Sequence, residues 1–145
     1  MEQNAKKYEL KVMGSNSEMK TAVIKDADDA AKYARNFYHD DLLIYESCFV
    51  ALLDKKNMVI GWAKISQGGV CGTTVDIKII CKYAVDTLCS GVILVHNHPS
   101  GSPKPSKEDI NMTERFRNAL RMFDISLLDH IVLAEDSYYS FANEE

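Results

Sequence analysis

Hydrophobic and polar positions follow two rhythms along this chain. In "DADDAAKYARNFYHD" the residues Ala27, Ala30, Ala31, Ala34 and Phe37 recur at helical spacing. Acidic residues crowd the first turn of that helix, where the macrodipole favours them. The run "ESCFVALLD" reads as a strand, "KKN" as a turn and "MVIGWAKI" as a second strand, together a hairpin. A glycine-rich connection, "QGGVCGTT", leads into "VDIKIICKYAVDTLCSG". There Ile77, Ile80, Ala84 and Leu88 mark one helical face, with Gly91 expected as the stop. "VILVH" is wholly apolar, as a strand buried on both faces requires.

A loop carrying all three prolines follows, and then the helix "SKEDINMTERFRNALRMF". Its predicted buried stripe is Met112, Phe116, Ala119, Leu120 and Phe123. The chain closes on "SLLDHIVLA", a turn at "EDS", and "YYSF". Near the start, "YELKVM" reads as a short strand and "GSNSE" as a turn or loop. Helices and strands are mixed and hairpins sit at both ends of the string. That pattern predicts an α+β domain, a mixed sheet flanked by helices. At 145 residues with no repeat or linker, one domain over 1–145 is expected, residues 1–20 being an extension of uncertain form.

Composition narrows the field. A hydrophobic share of 46% is ordinary for a globular protein, and no apolar run approaches the roughly 20 residues that span a bilayer. The polar N-terminus has no signal-like apolar region, so a cytoplasmic protein is expected. The formal charge of −4 is the wrong sign for holding nucleic acid through its phosphates, which weighs against direct DNA binding. Cys48, Cys71, Cys81 and Cys89 lack C-x-x-C spacing and read as reduced, buried thiols.

Candidate chemistry concentrates in "VILVHNHPSGSPKPSKEDI", residues 92–110. Residues two apart in an extended segment share a face, so His96 and His98 could reach one ion. Alone, H-x-H is as compatible with a structural or incidental pair. Asp109, eleven residues after His98, is the natural third ligand. It also fits the third helical position of a capping box opened by Ser106. Those two roles are compatible, since a carboxylate fixed at a helix start is well placed to bind an ion. Glu46, at the head of "ESCFVALLD", reads either as a solvated edge charge or as a proton-transfer group. Gly101 could admit a positive φ in the loop. His130 reads by default as a locally bonded strand histidine, and His39 and Glu108 as surface residues. Trp62 and the tyrosines at 138–139 read as core and sheet surface. "GGVCGTT" lacks the ending of a phosphate loop.

The segment H-N-H-P, followed after six residues by S-x-x-D, resembles the JAMM signature of MPN-domain metalloproteases. "HNHPSGSPKPSKED" with "LLDHIVL", "YYSF" and the upstream "LLDKKNMVIGW" is similar more closely to the RadC family, the bacterial branch of that superfamily. The resemblance runs from about Glu46 to Phe141. It implies an MPN/JAB-like, cytidine-deaminase-like mixed sheet. It also implies a zinc ion (Zn2+) held by His96, His98 and Asp109, with water as the fourth ligand. Ser106 would donate a hydrogen bond in the site and Glu46 would move protons. The implied reaction is hydrolysis of a peptide or isopeptide bond in a peptide or protein substrate. Two rivals stand beside it: an accessory role in DNA repair or recombination, and a metal-stabilised domain without turnover. Where the family usually carries a Pro-Arg-Glu-like stretch, this chain reads "VDIK", which bears on the substrate rim rather than on the metal ligands. Longer family members also carry an N-terminal helical region associated with DNA binding, for which no room is expected here. Substrate identity and oligomeric state stay open.

Overall fold

Small residues make the first helix a flat surface. Helix α1, Ala27–Arg35, is capped by Asp26, whose side chain accepts from the Asp29 N–H at 2.8 Å, and it buries Ala27, Ala30, Ala31 and Ala34. The structure is a computed structural model, and it describes residues 2–9, 11–68 and 75–144. After α1 come β1 (Ser47–Leu53), β2 (Val59–Gln67), α2 (Ile77–Asp86), β3 (Gly91–Asn97), α3 (Lys107–Arg121), β4 (Ser126–Leu133) and β5 (Tyr138–Ser140). The five strands form one sheet in the order β2-β1-β3-β4-β5. Only the β3–β4 pair is parallel; the others are antiparallel. The α+β expectation, a mixed sheet flanked by helices, is met.

The apolar runs end up at the centre of the sheet. Every residue of β1 and β3 is buried, because both faces of these strands are covered. Odd-numbered positions (Phe49, Ala51, Leu53, Ile93, Val95, Ile131, Leu133) pack with α1. Even-numbered positions (Cys48, Val50, Leu52, Val92, Leu94) pack with Ile80, Ala84, Phe116 and Leu120 from α2 and α3. This parity decides where each residue at the end of β3 points: His96 toward α3, Asn97 toward α1. Arg35 ties α1 to the β4–β5 turn, donating to the carbonyls of Ala134 and Ser137 at 3.0 and 3.1 Å.

Three local expectations are corrected. Gly91 does not stop α2; it opens β3. The helix ends at Asp86 with Thr87 as its C-cap, and Leu88 takes the left-handed turn with φ 56°. Gly91 is needed for closeness instead, since a Cβ there would stand 2.6 Å from Leu128 Cδ1. Leu88 and Phe123 lie beyond their helices, so the spacing that placed them on buried faces no longer applies. They are 85% and 54% exposed. "YELKVM" is not a strand among the described residues, because the free edge of the hairpin is met by Ala22–Ile24 instead. Val59 N–H donates to Ala22 O and Ile24 N–H to Asn57 O, both at 2.9 Å.

Cys48 and Cys89 are buried, Cys81 is half-buried, and all three are free thiols. Cys71 and most of "QGGVCGTT" lie outside the described residues. Trp62 covers the α1 side of the sheet edge against Phe37 at 5.4 Å between ring centroids. Among the described residues no helix is long and apolar enough to cross a membrane.

Candidate metal centre

The candidate site forms where β3 runs out. His96 leaves the last paired stretch of the strand, and His98 extends it by one more bond, its N–H donating to Leu133 O at 2.8 Å. Alternation then turns both imidazoles toward the start of α3. The loop returns through Gly101 at φ 100°, a conformation that a residue without Cβ adopts cheaply. Ser106 caps α3 in a complete capping box. Its Oγ accepts from Asp109 N–H at 3.0 Å, and its own N–H donates to Asp109 Oδ2 at 2.8 Å. The cap therefore does not compete with the candidate ligand role of Asp109. It fixes the carboxylate, and the free N–H groups of the helix start favour its negative charge.

Four side chains converge. The ring nitrogens His96 Nε2 and His98 Nε2 are 3.0 Å apart. Asp109 Oδ1 lies 3.3 Å from the first and Asp109 Oδ2 lies 3.2 Å from the second. Glu46 Oε1 stands farther back, 3.8 Å from both nitrogens. One candidate ligand atom from each of the four residues falls within 4.8 Å of the others. The cluster is closed on the protein side, where the His96 side chain is 4% exposed. It is open on the other, where His98, Glu46 and Asp109 keep 15%, 19% and 14%.

The donor set suits a divalent cation. His98 Nδ1 is 3.0 Å from the carbonyl oxygen of Ser102, which can only accept, so that nitrogen carries hydrogen and Nε2 of the neutral ring offers a lone pair. A lone pair facing another ring nitrogen and two carboxylates at such distances is repulsive unless positive charge lies among them. Two imidazole nitrogens with carboxylate oxygen are ligands that Zn2+ accepts readily.

The electrostatics follow the same geometry. The Asp109 hydrogen bond raises the His98 pKa from its ordinary value, against the opposing effect of burial. Burial works to raise Asp109, but the facing imidazoles of His96 and His98 and the Ser106 N–H hold its carboxyl well below the usual carboxylate range. Burial, then the nearby carboxylates of Glu46 and Asp109, push the Cys48 thiol up, so it stays protonated beside the cluster.

Behind the cluster lie residues that sequence reasoning did not assign to the site. His130 comes from β4, fully buried, with Nε2 2.7 Å from His96 Nδ1 and Nδ1 2.5 Å from Thr113 Oγ1. Thr113 Oγ1 is in turn 2.6 Å from the backbone carbonyl of Asp109. Burial, and then the nearness of the His96 ring, lowers the His130 pKa well below the ordinary histidine value. Asn97, pointing the other way, accepts from Ser47 N–H at 2.8 Å and donates to the carbonyls of Leu42 and Tyr45. The one signal for Thr113 was its polar side chain at a buried position of α3. For Asn97 there was none beyond its place between two histidines. Glu108 and His39 are exposed, as expected.

A mixed α+β sheet with two histidines, an aspartate and a glutamate gathered at the exit of its central strand defines a domain that could hold a metal ion. The family model of the RadC-like JAB domain matches residues 24–145. The chain belongs to that family. It is 39% identical over 102 residues to a UPF0758 protein of Flavobacterium johnsoniae, covering 70% of this chain and 44% of that one. It is 37% identical over 132 residues to a UPF0758 protein of Coprothermobacter proteolyticus, covering 90% and 56%. A UPF0758 protein of Neisseria meningitidis is 39% identical over 119 residues, covering 82% and 52%. The chain thus spans about half the length of these curated relatives.

Proposed function

We propose that this chain is a zinc-dependent hydrolase of peptide or isopeptide bonds, working on a peptide or protein substrate in the cytoplasm. The observation that carries the proposal is the division within the cluster. Asp109 reaches the two Nε2 atoms at 3.2–3.3 Å, whereas Glu46 stays at 3.8 Å from both. His96, His98 and Asp109 are then the ligands, and Glu46 is free to handle protons. Membership of a superfamily that includes metallohydrolases supports the same reading. Free, reduced thiols fit the cytoplasm.

A divalent ion held by His96, His98 and Asp109 would supply Lewis acidity, lowering the pKa of a water beside it and polarising a scissile carbonyl. Glu46 accepts a proton from the attacking water and returns it to the leaving amine nitrogen. The Ser106 hydroxyl accepts from Asp109 N–H, so its own hydrogen is available to donate to the developing oxyanion. The buried wall formed by His96 keeps solvent to one side, where the substrate must enter.

The test separates ligand from base. Protein purified without chelators is assayed for bound metal and for turnover on a panel of peptide and isopeptide substrates, as the parent and as Glu46→Gln and His98→Ala. The expected result is loss of both metal and turnover in His98→Ala. Glu46→Gln should keep the metal and lose turnover by about 10²-fold or more. A parent that holds the ion, melts lower as His98→Ala and turns over nothing in the panel would make the ion structural and end the hydrolase reading.

A further inference from the structure

We infer that Thr113 and His130 are positioning residues that fix the tautomer of His96, so that its Nε2 lone pair is presented to the ion; the inference rests on the metal-centre reading above. The Asp109 carbonyl oxygen can only accept, so at 2.6 Å from Thr113 Oγ1 it takes the single hydroxyl proton. Thr113 then meets His130 Nδ1 at 2.5 Å with a lone pair, and that nitrogen must carry hydrogen. His130 is fully buried, and neither of its ring-nitrogen partners is a carboxylate, so it keeps one proton rather than two. Its Nε2 is therefore an acceptor, and at 2.7 Å it takes a hydrogen from His96 Nδ1.

One consequence remains for the first ligand. With Nδ1 protonated, the neutral His96 ring has its free electron pair on Nε2, the atom that faces Asp109 Oδ1 at 3.3 Å and His98 Nε2 at 3.0 Å. The opposite tautomer would place an N–H where the coordinate bond must form. The second nitrogen of a metal-ligating histidine usually donates to a carboxylate, a backbone carbonyl or water. Here it meets a neutral imidazole that is itself held by a hydroxyl, so the ring is oriented without adding negative charge. The chain of contacts also closes on itself: Asp109 and His96 are joined behind the site through Thr113 and His130.

Two details show that the connection is built in. Thr113 is 1% exposed, in the buried stripe of α3 with Phe116 and Leu120, where an apolar residue of equal size would otherwise fit. The His130 ring is held flat on Phe141, 4.5 Å between centroids and 3° from parallel, which restricts its rotation between His96 and Thr113.

Thr113→Val removes the hydroxyl at nearly constant volume, and Thr113→Ser restores it. In metal-free parent protein, nitrogen-resolved NMR of the histidines should show His96 with hydrogen on Nδ1 and none on Nε2. Thr113→Val should populate both forms. Cobalt(II) affinity, read by competition with a chelator, should fall about 10–100-fold in Thr113→Val and return in Thr113→Ser. The inference is overturned if the parent carries the His96 proton on Nε2, or if Thr113→Val binds cobalt as tightly as the parent does. A parent that binds no cobalt overturns the metal-centre reading instead, and the metal-free spectra still decide the tautomer.

Discussion

Asn97 grips the backbone on both sides of Glu46 without touching its carboxylate. The carboxamide accepts from the N–H of Ser47 and donates to the carbonyl of Tyr45, at 2.8 Å each, with a further bond to Leu42 O. The tripeptide His96-Asn97-His98 therefore serves both faces of the sheet. Its imidazoles face the candidate metal centre, and the residue between them sets the segment from which Glu46 projects.

Replacing Asn97 should separate metal binding from chemistry. In Asn97→Ala, three backbone groups lose a buried partner, at a cost of about 2–4 kcal/mol. Metal content should stay at the parent level, because no ligand is altered. Turnover should drop about 10²-fold, as expected when a reacting group is displaced by about 1 Å. Denaturant melts, elemental analysis and rates on the same preparations check all three.

Ser106 has two proposed duties that a pair of substitutions can split. Alanine removes both the cap and the hydroxyl, and should cost about 1 kcal/mol of stability. Glycine caps almost as well, so Ser106→Gly should lie within a few tenths of a kcal/mol of the parent. If the hydroxyl stabilises an oxyanion, both variants lose about 10²–10³ in turnover. Activity that tracks stability, with glycine near the parent rate, would reduce Ser106 to a cap.

Tyr138 and Asp28 provide a pH signature away from the site. The Tyr138 hydroxyl donates to Asp28 Oδ1 across 110 residues, and that bond, with some burial, pushes the phenol up to about 12 from its ordinary 10.0. The folded pKa is raised, so the contribution is fully present below about pH 10 and is lost as pH climbs through about 12. An ultraviolet titration of the phenolate band should show Tyr138 ionising late, alongside Tyr33 and the buried Tyr38, whose phenols burial also pushes up. In Asp28→Asn, Tyr138 should ionise nearer the ordinary value.

The end of α2 should respond in opposite directions to two small changes. Leu88, at φ 56°, carries a Cβ in a left-handed conformation and is almost wholly exposed, so Leu88→Gly should stabilise by about 1 kcal/mol. Gly91→Ala should destabilise by about 1–3 kcal/mol, because the new methyl meets Leu128 Cγ at 2.9 Å. Thermal melts of the two variants decide the signs.

Strand and helix rhythm made most of this fold readable. "VILVH" had to be buried on both faces, and it lies in the middle of the sheet. The capping reading of Ser106 and Asp109 rested on local spacing, and local spacing is all a cap needs. What escaped reading depends on partners far along the chain. Gly91 reads as a helix stop because its true neighbour, Leu128, is visible only once β4 lies beside β3. Phe123 and Leu88 continued a periodicity past the point where the backbone leaves the helix. His130 joins His96 only through the parallel register that pairs Leu94 with His130 and His96 with Val132. No periodicity in either strand encodes that register.

The single parallel pairing has a kinetic consequence. β3 and β4 can align only after the chain between them has wound into α3 and crossed back, so this contact closes later than the β1–β2 hairpin, which a short turn joins. The four-residue circuit of Asp109, Thr113, His130 and His96 is therefore assembled near the end of folding. Any ion held between His96, His98 and Asp109 would therefore meet a fully oriented His96 ring only once β4 has docked beside β3.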